Sequence, residues 1–575
     1  MRQLLSLLLT ALTLSSQQAS AQPPAPQNAS LDLAALHRPV RVIKPRPRIG
    51  IMSEVELTLD QVVASVLANN RDIESSRIDR LEAGLRLTGA KGVYDPRFVM
   101  EPSFVHSTSP VSSTLGGGSI PGELRQTNLS ATPQITGNIL NSGGTYTVSF
   151  SSARNSTDNT FATLNPQYPT QLTFSAVQPL FKNLRYDDNR RQIQIAKKNL
   201  SISDEQFRQK VFQVTTQAVE GYWDLVYAVR NLQIQVEAVD LARKQVESNQ
   251  RQEAQGILAP IDIVQAENQL DTFEQNIYSA QQALTQAENV LKTLMLPDRS
   301  SPLWTAALIP VTPLNLDPPE LDYEPALDEA LRSRPELAQV RLSGDIAQAN
   351  TRYLHEQTKP QADLVVSYSA AGLSGKALTG GPNPLLTAGT AALTNQVNLL
   401  SQLAGIPPLP PTSSTVLAAP PFLVGGYAQS LSNLTAWTYP GINASVRISV
   451  PLRNRTAVSN FEVGMAEERR IENQRQQLEI SVETDVRNTM QAIDSTKARM
   501  DAAVLARQSS EAQYQSELRQ FQEGTSTVFL VLQRQTTMIT ARNTELRAQT
   551  DMSKAIADFE RATTRTIAAR KITLQ

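Results

Sequence analysis

Apolar residues recur at helical spacing over residues 58–93, at Val62, Val66, Ile73, Ile78, Leu81 and Leu85, which predicts one helix closed by Pro96. The period then falls from about 3.6 residues to about 2. Tyr146-Thr147-Val148-Ser149-Phe150 and Leu172-Thr173-Phe174-Ser175-Ala176 alternate strictly. Gly116-Gly117-Gly118, Gly143-Gly144 and Asn165-Pro166 punctuate this stretch, so strands are expected over about 97–179. Helical spacing resumes with a heptad of Val211, Ala218, Leu225, Leu232, Val239 and Val246. Its companion positions are Val214, Gly221, Ala228, Gln235, Ala242 and Asn249. Large apolar residues at one position and smaller ones at the other let helices approach closely, as coiled-coil partners do. The phrase Gly256-Ile257-Leu258-Ala259-Pro260 ends that helix, with glycine at the residue that stops it and proline to start an antiparallel partner.

The same order returns in the second half. Leu67 to Ile73, followed by Pro96, reappears as Leu331 to Leu337, followed by Pro360, at an offset of 264 (331 − 67 and 360 − 96). Val177-Gln178-Pro179-Leu180 matches Ser449-Val450-Pro451-Leu452, and Gln255-Gly256 running to Gln265 matches Glu523-Gly524 running to Gln533. Strands are expected over about 361–451, in Asp363 to Tyr368 and Ile442 to Val450. A heptad of Val486, Ile493 and Met500 with Thr489, Thr496 and Ala503 follows. The helix at 460–522 would be roughly 90 Å long at about 1.5 Å per residue, too long for a globular core, so it must pack laterally on similar helices. Its tip is Gly524-Thr525-Ser526-Thr527. Two copies are therefore expected: repeat 1 at 57–296 with its tip at 256–260, and repeat 2 at 323–570 with its tip at 524–527. Residues 297–322, rich in proline, link them. Copy one holds more strand material, four strands against two. Copy two holds a loop at 371–439, unusually long for a compact domain but normal on one side of an outer-membrane barrel.

Destination follows from the N-terminus. Arg2, the apolar run Leu4 to Leu14 and Ala19-Ser20-Ala21 read as a signal peptide over 1–21, too short to span ~30 Å of hydrocarbon. Residues 22–56 form a Pro/Arg-rich linker, either a solvated spacer or a contact to an anionic surface. No later stretch approaches ~20 apolar residues, so an exported chain would be soluble or a β-barrel. Strands with one polar face suit a barrel wall, with Arg447 lining the lumen, and equally a soluble sandwich with one wet face.

Charge and chemistry narrow the class. With 53 basic and 54 acidic side chains, nothing favours nucleic acid as a partner. The absence of cysteine removes disulfides, thiol catalysis, Cys-ligated metals and acylation of an N-terminal Cys. His37, His106 and His355 share no ligand spacing, and the methionines do not cluster. No nucleophile elbow or phosphate loop is present, so neither an enzyme nor a cofactor is expected.

A chain with two copies of helix, hairpin and long helix pair resembles the TolC family of outer-membrane efflux proteins over about 57–570. The hairpin exits Val177-Gln178-Pro179-Leu180-Phe181 and Val450-Pro451-Leu452 carry the resemblance, with the tips from Gly256 to Ala266 and from Gly524 to Leu532. It implies an α+β membrane protein and a homotrimer that closes one β-barrel in the outer membrane, each chain giving four strands. The helices continue as a coiled-coil barrel through the periplasm. It also implies a passive exit duct of a tripartite efflux or type I secretion system. A periplasmic adaptor (membrane fusion) protein and an inner-membrane pump of RND or ABC type would dock at Gly256, Ile257, Leu258, Ala259, Gly524, Thr525, Ser526 and Thr527. The barrel would contact outer-membrane lipid. The alternative is a coiled-coil scaffold or adhesin without channel activity.

The gate residues depart from the family. Well-studied members ring the tip with aspartates at positions that fall on Leu530 and Gln533, and their tip arginine falls on Ser526. Asp262 does match an aspartate of the closing network. The candidate gate is therefore Asp262, Leu530 and Gln533, with closure by dewetting at Leu530. The alternative is that Leu530 only packs between helices.

Overall fold

The computed structural model describes residues 47–112, 116–117, 122–314, 316–319, 321–378, 384–409 and 419–566. The expected signal peptide, most of the 22–56 linker with His37, Gly118 and the end of repeat 2 at 567–570 lie outside them. In chain order the elements are β1 (Ser53–Leu57), α1 (Leu59–Asn69), α2 (Arg71–Lys91), β2 (Arg97–Pro110), β3 (Glu123–Asn138), β4 (Thr145–Thr157), β5 (Leu164–Pro179), α3 (Asp188–Ala254) and α4 (Pro260–Met295). Then come β6 (Ala306–Pro310), α5 (Tyr323–Ser333), α6 (Pro335–Gln357), β7 (Gln361–Ala377), α7 (Pro384–Leu403), α8 (Tyr427–Thr435), β8 (Tyr439–Ser449), α9 (Arg455–Gln522) and α10 (Val528–Ala562).

The helix expected at 58–93 is in fact two. Thr58 opens α1 with a capping box, its hydroxyl accepting from the Gln61 N–H while Gln61 accepts from the Thr58 N–H at 2.9 Å. Asn70 then leaves the helical region at φ −65°, ψ 130°, and its Oδ1 accepts from the N–H groups of Asp72 (2.9 Å) and Ile73 (3.2 Å), capping α2. At the matching offset, Arg334 makes the same break between α5 and α6 at φ −65°, ψ 126°. There the cause is Pro335, which disfavours helical geometry in the residue before it.

Both linkers also contain structure. Residues 53–57, expected to belong mostly to the N-terminal linker, pair in parallel with β6 from the inter-repeat linker, Ser53 opposite Ala306 and Leu57 opposite Pro310. Ala306, Ala307 and Leu308 are buried there. The Tyr222 hydroxyl, fully buried, clamps the end of this pair by donating to the Leu57 carbonyl (3.2 Å) and accepting from the Thr312 N–H (3.0 Å).

The main sheet has six antiparallel strands in the order β2-β3-β4-β5-β7-β8. Four come from the first half and two from the second, against the four per chain that the family resemblance implies. The loop expected at 371–439 starts only after Ala377, because β7 runs to that residue, and it contains α7 and α8.

The chain divides into two compact units. Among the described residues, unit 1 comprises 47–52, Asp224–Asn289 and Ala498–Thr550, and unit 2 takes the rest. In unit 1 the four long helices share one apolar core: Val239, Ala242 and Val246 of α3, Leu270, Phe273 and Ile277 of α4, Tyr514 and Phe521 of α9, Val531 and Met538 of α10. Most heptad positions of both halves are buried there and in unit 2, among them Val211, Val214, Ala218, Val486, Thr489, Ile493 and Thr496, while Leu232 and Met500 are half-buried.

Candidate functional site

Residues opposite each other in the register lie on the same face of a sheet, and alternate residues along a strand share a face. One face of the six-stranded sheet carries Phe98, Met100 and Phe104 of β2, Leu129 and Ile135 of β3, and Tyr146, Val148 and Phe150 of β4. It continues through Leu172 and Phe174 of β5, Leu364, Val366 and Tyr368 of β7, and Ile442, Val446 and Ile448 of β8. These side chains are not core. Phe104 is 68% exposed, Ile442 78% and Ile448 68%. An apolar patch that spans a whole sheet is far larger than a soluble monomer exposes.

The opposite face is polar. It carries Glu101, Ser103 and Ser107 of β2, Ser130, Thr132 and Gln134 of β3, Thr147, Ser149 and Ser151 of β4, Gln171, Thr173 and Ser175 of β5, Ser367 and Ser369 of β7, and Asn443 and Ser445 of β8. Arg447 sits on this face, directly opposite Asp363.

The tips are built alike. Gly256 at φ 75° ends α3, with the Ile257 N–H donating to the Gln252 carbonyl (2.9 Å) and the Gly256 N–H to Glu253 (2.7 Å). Gly524 at φ 77° ends α9, with the Thr525 N–H on Gln520 (2.9 Å) and the Gly524 N–H on Phe521 (3.0 Å). Both are Schellman closures, which need a residue tolerant of positive φ. Pro260 then opens α4, and the Thr527 hydroxyl accepts from the Leu530 N–H at the start of α10. Ile257 is exposed, Leu258 half-buried and Ala259 exposed, and Thr525 and Thr527 are exposed.

Among the candidate gate residues, Asp262 and Leu530 are half-buried and Gln533 is exposed. Gln533 lines a groove of about 850 Å³ with Gln265, Asn268, Phe529, Thr536 and Thr540, a lining without charge. Ser526 donates to the Glu517 carboxylate. Glu517 also lies 3.9 Å from Arg534, whose guanidinium donates to Gln513 at 3.2 Å. So an arginine is present near this tip, eight residues after Ser526 (534 − 526). Counting along the chain could not find it, because its partners come from α9.

Two ion networks were not legible in the sequence. In unit 1, Arg507 pairs with Glu545 and with Glu511 (2.8 Å), Glu511 with Arg542 (2.8 Å), and Arg542 with Glu237 (3.3 Å). These tie α3, α9 and α10 together. In unit 2, Arg334 at the α5–α6 break donates to the Ala562 carbonyl (2.9 Å) and to Asp485, which also receives Arg561 at 3.4 Å. Burial pushes the Asp485 carboxyl up, but the hydrogen bond and charge of Arg334, with Arg561, outweigh it and hold the group below the usual carboxylate range.

Among the described residues no His, Asp or Glu cluster could hold a metal ion, and no helix is long and apolar enough to cross a membrane. His106 lies on β2 beside Thr127, and the His355 ring lies 5.3 Å from that of Phe461.

The comparisons with known proteins agree with this geometry. Residues 145–295 match the family model described as outer membrane efflux protein. No curated protein matches the chain. Among solved structures, the Campylobacter jejuni outer membrane channel CmeC is similar at 14% identity and TM-score 0.59, with 90% of each chain covered. CusC is similar at 14% identity and TM-score 0.59, over 91% of this chain and 98% of that one. The outer membrane protein VceC of Vibrio cholerae is similar at 12% identity and TM-score 0.56, over 88% and 95%. At these identities the likeness is one of fold, and the family match lies in the strands and long helices. Residues 145–295 thus carry an outer membrane efflux protein domain, and over about nine-tenths of its length the chain shares the fold of these outer-membrane channels.

Proposed function

We propose that this chain is the passive exit duct of a multi-part export system. Three copies associate, and their sheets close into one barrel whose apolar face meets outer-membrane lipid and whose polar face, with Arg447 and Asp363, meets water. The observation that carries this reading is the row Phe98, Ile135, Val148, Phe174, Tyr368 and Ile442, apolar on all six strands and nowhere buried. In water that face would drive aggregation; in a bilayer it needs no partner. An even strand number leaves β2 and β8 antiparallel, so neighbouring copies can pair edge to edge in the sense that the rest of the sheet uses. Three sheets of six strands give a wall of eighteen (3 × 6), the size at which barrels leave an aqueous channel.

The two halves are read as a duplication, so three chains supply six near-equivalent helical units to a periplasmic tunnel. A periplasmic adaptor engages the tips at Gly256 to Ala259 and Gly524 to Thr527, and an inner-membrane pump of RND or ABC type supplies energy for small-molecule or polypeptide cargo. Leu530, half-buried beside exposed Gln533, serves as an apolar gate of the tip, with Asp262 at the matching step after the other glycine. The expected preparation is a heat-modifiable, SDS-resistant trimer in the outer-membrane fraction that conducts in a planar bilayer. Leu530→Asp should raise single-channel conductance and cation selectivity. A soluble monomer would defeat the duct, while unchanged conductance and selectivity in the variant would remove only the gate.

A further inference from the structure

Between Lys376 and Arg447 no residue is Asp, Glu, Lys, Arg or His: 70 consecutive positions (447 − 376 − 1) in a chain that is 19% charged. This segment includes the 378–438 excursion between β7 and β8 and runs on into β8, where Ile442 and Val446 belong to the apolar face. Loops that stand in water do not lose their charges over such a length by chance.

The excursion returns on the apolar side of the sheet. Thr170 and Gly372 pair on the face that carries Leu172, Phe174, Val366 and Tyr368. α8 lies on that face, with the hydroxyls of Thr170 and Ser430 2.8 Å apart and Ser374 donating to the Gly426 carbonyl at 2.8 Å. Asn433 donates to the carbonyls of Leu373 (2.8 Å) and Phe422 (2.9 Å). A Cβ on Gly372 would stand 2.2 Å from the Ser430 carbonyl oxygen, so the contact is a close one. Trp437 stacks on Tyr368 at 5.3 Å, in the position that interfacial aromatics take at the end of an apolar band.

α7, within this excursion, turns its apolar side outward. Leu393, Val397, Leu399, Leu400 and Leu403 are exposed, Leu403 at 81%. Thr394, Asn398 and Ser401 are half-buried instead. The reason is that the chain reverses at Gly405 (φ 66°) and residues 406–409 return along the polar side, where Asn398 accepts from the Leu409 N–H at 2.7 Å. Asn395, Gln396 and Gln402 stay exposed as well, but a helix that leaves five large apolar side chains uncovered favours an apolar surrounding on that side.

We propose that α7 lies in the plane of the membrane, its leucines in the outer leaflet beside the barrel wall, so that α7 and α8 form a lipid-bound skirt. The hydropathy of α7 does not let it cross the bilayer, and in-plane insertion of one face would bury its leucines without a protein partner. The inference rests on the reading of the sheet's apolar face as the lipid-facing wall.

The chain has no cysteine, so single-cysteine variants test it directly. Leu393→Cys, Leu400→Cys, Asn395→Cys on the other side of the helix, and Val446→Cys on the sheet are labelled with a polarity-sensitive fluorophore. The full-length trimer is reconstituted in phosphatidylcholine vesicles with a nitroxide near the headgroup, and iodide serves as the aqueous quencher. The leucine sites should emit to the blue and lose several-fold more intensity to the lipid quencher than to iodide, with Asn395→Cys the reverse. If Val446→Cys is lipid-quenched while Leu393→Cys and Leu400→Cys are reached by iodide, α7 stands in water and the proposal fails. If those two sites are shielded from both quenchers, α7 packs on protein, its own or a second copy's, and the proposal fails equally. If Val446→Cys is itself not lipid-quenched, the wall reading falls and this inference falls with it.

Discussion

Replacing Asp485 with asparagine should loosen the unit 2 helices in a pH-dependent way. Asp485 joins Arg334 and Arg561, and the exposures of the side chains set the magnitude: 9% for Arg334, 31% for Asp485 and 32% for Arg561. The Arg561 pair, half-open to solvent, contributes about 0–1 kcal/mol. The Arg334 pair is closer to a buried one, and a hydrogen bond to a charged group contributes about 1.5–3 kcal/mol there, since Arg334 would stay buried with its charge uncompensated. Asp485→Asn should therefore cost about 2–3 kcal/mol per chain. For a cooperative unit of several hundred residues that is a fall of roughly 2–3 °C in the midpoint of thermal unfolding. Because the folded carboxyl lies below its usual range, its stabilising effect is complete above the unfolded value near ~4 and is lost as pH falls through the folded value. The gap between wild type and variant should be full at pH ~7 and close below pH ~4. Circular dichroism melts of the detergent-solubilised protein across that range would measure it. Equal midpoints at neutral pH, or a gap that persists unchanged below pH ~3, would refute the reasoning.

Other substitutions probe the remaining elements. Gly256→Ala and Gly524→Ala meet no neighbouring atom but must hold positive φ, so each should cost about 1 kcal/mol and speed hydrogen exchange at its own tip. Protection that is unchanged would mean that the closure is not strained. Gly372→Val should expel α8 from the sheet, read as new protease sensitivity in 419–438 with the trimer intact, and resistance equal to wild type would count against the close contact. Arg542→Ala removes the link between Glu511 and Glu237, and should lower the stability of unit 1 modestly, by about 1 kcal/mol or less, an effect that high salt abolishes and that thermal melts would register.

Much of this architecture was legible because it rests on local rules. The strand alternation separated the two faces of the sheet, the heptads identified the buried positions of α3 and α9, and Gly256 and Gly524 located the reversals. The break at Asn70 was hidden because apolar spacing continues on both sides of it, although Pro335 signalled its counterpart at Arg334. The β1–β6 pair was hidden because strands so short and far apart in sequence have no local signature. The excursion after β7 read as a loop because its Gly, Pro and Thr content masks helices, and its lack of charge was a signal that composition alone could have raised. The ion networks at Asp485 and Glu511 are set by helix neighbours, which no spacing along one helix reveals.

The central claim is that the six-stranded sheet is one third of a closed barrel, so its free edges, β2 and β8, must meet between copies. Cysteine pairs on the polar face, one from Ser103 or Ser107 of β2 and one from Asn443 or Ser445 of β8, can be scanned for disulfide formation in intact outer membranes. The account predicts that at least one register yields covalent dimers and trimers on non-reducing gels, with no change in mobility for cysteines placed on β3 and β8. If no β2–β8 pair ever links two chains, the closed barrel is contradicted.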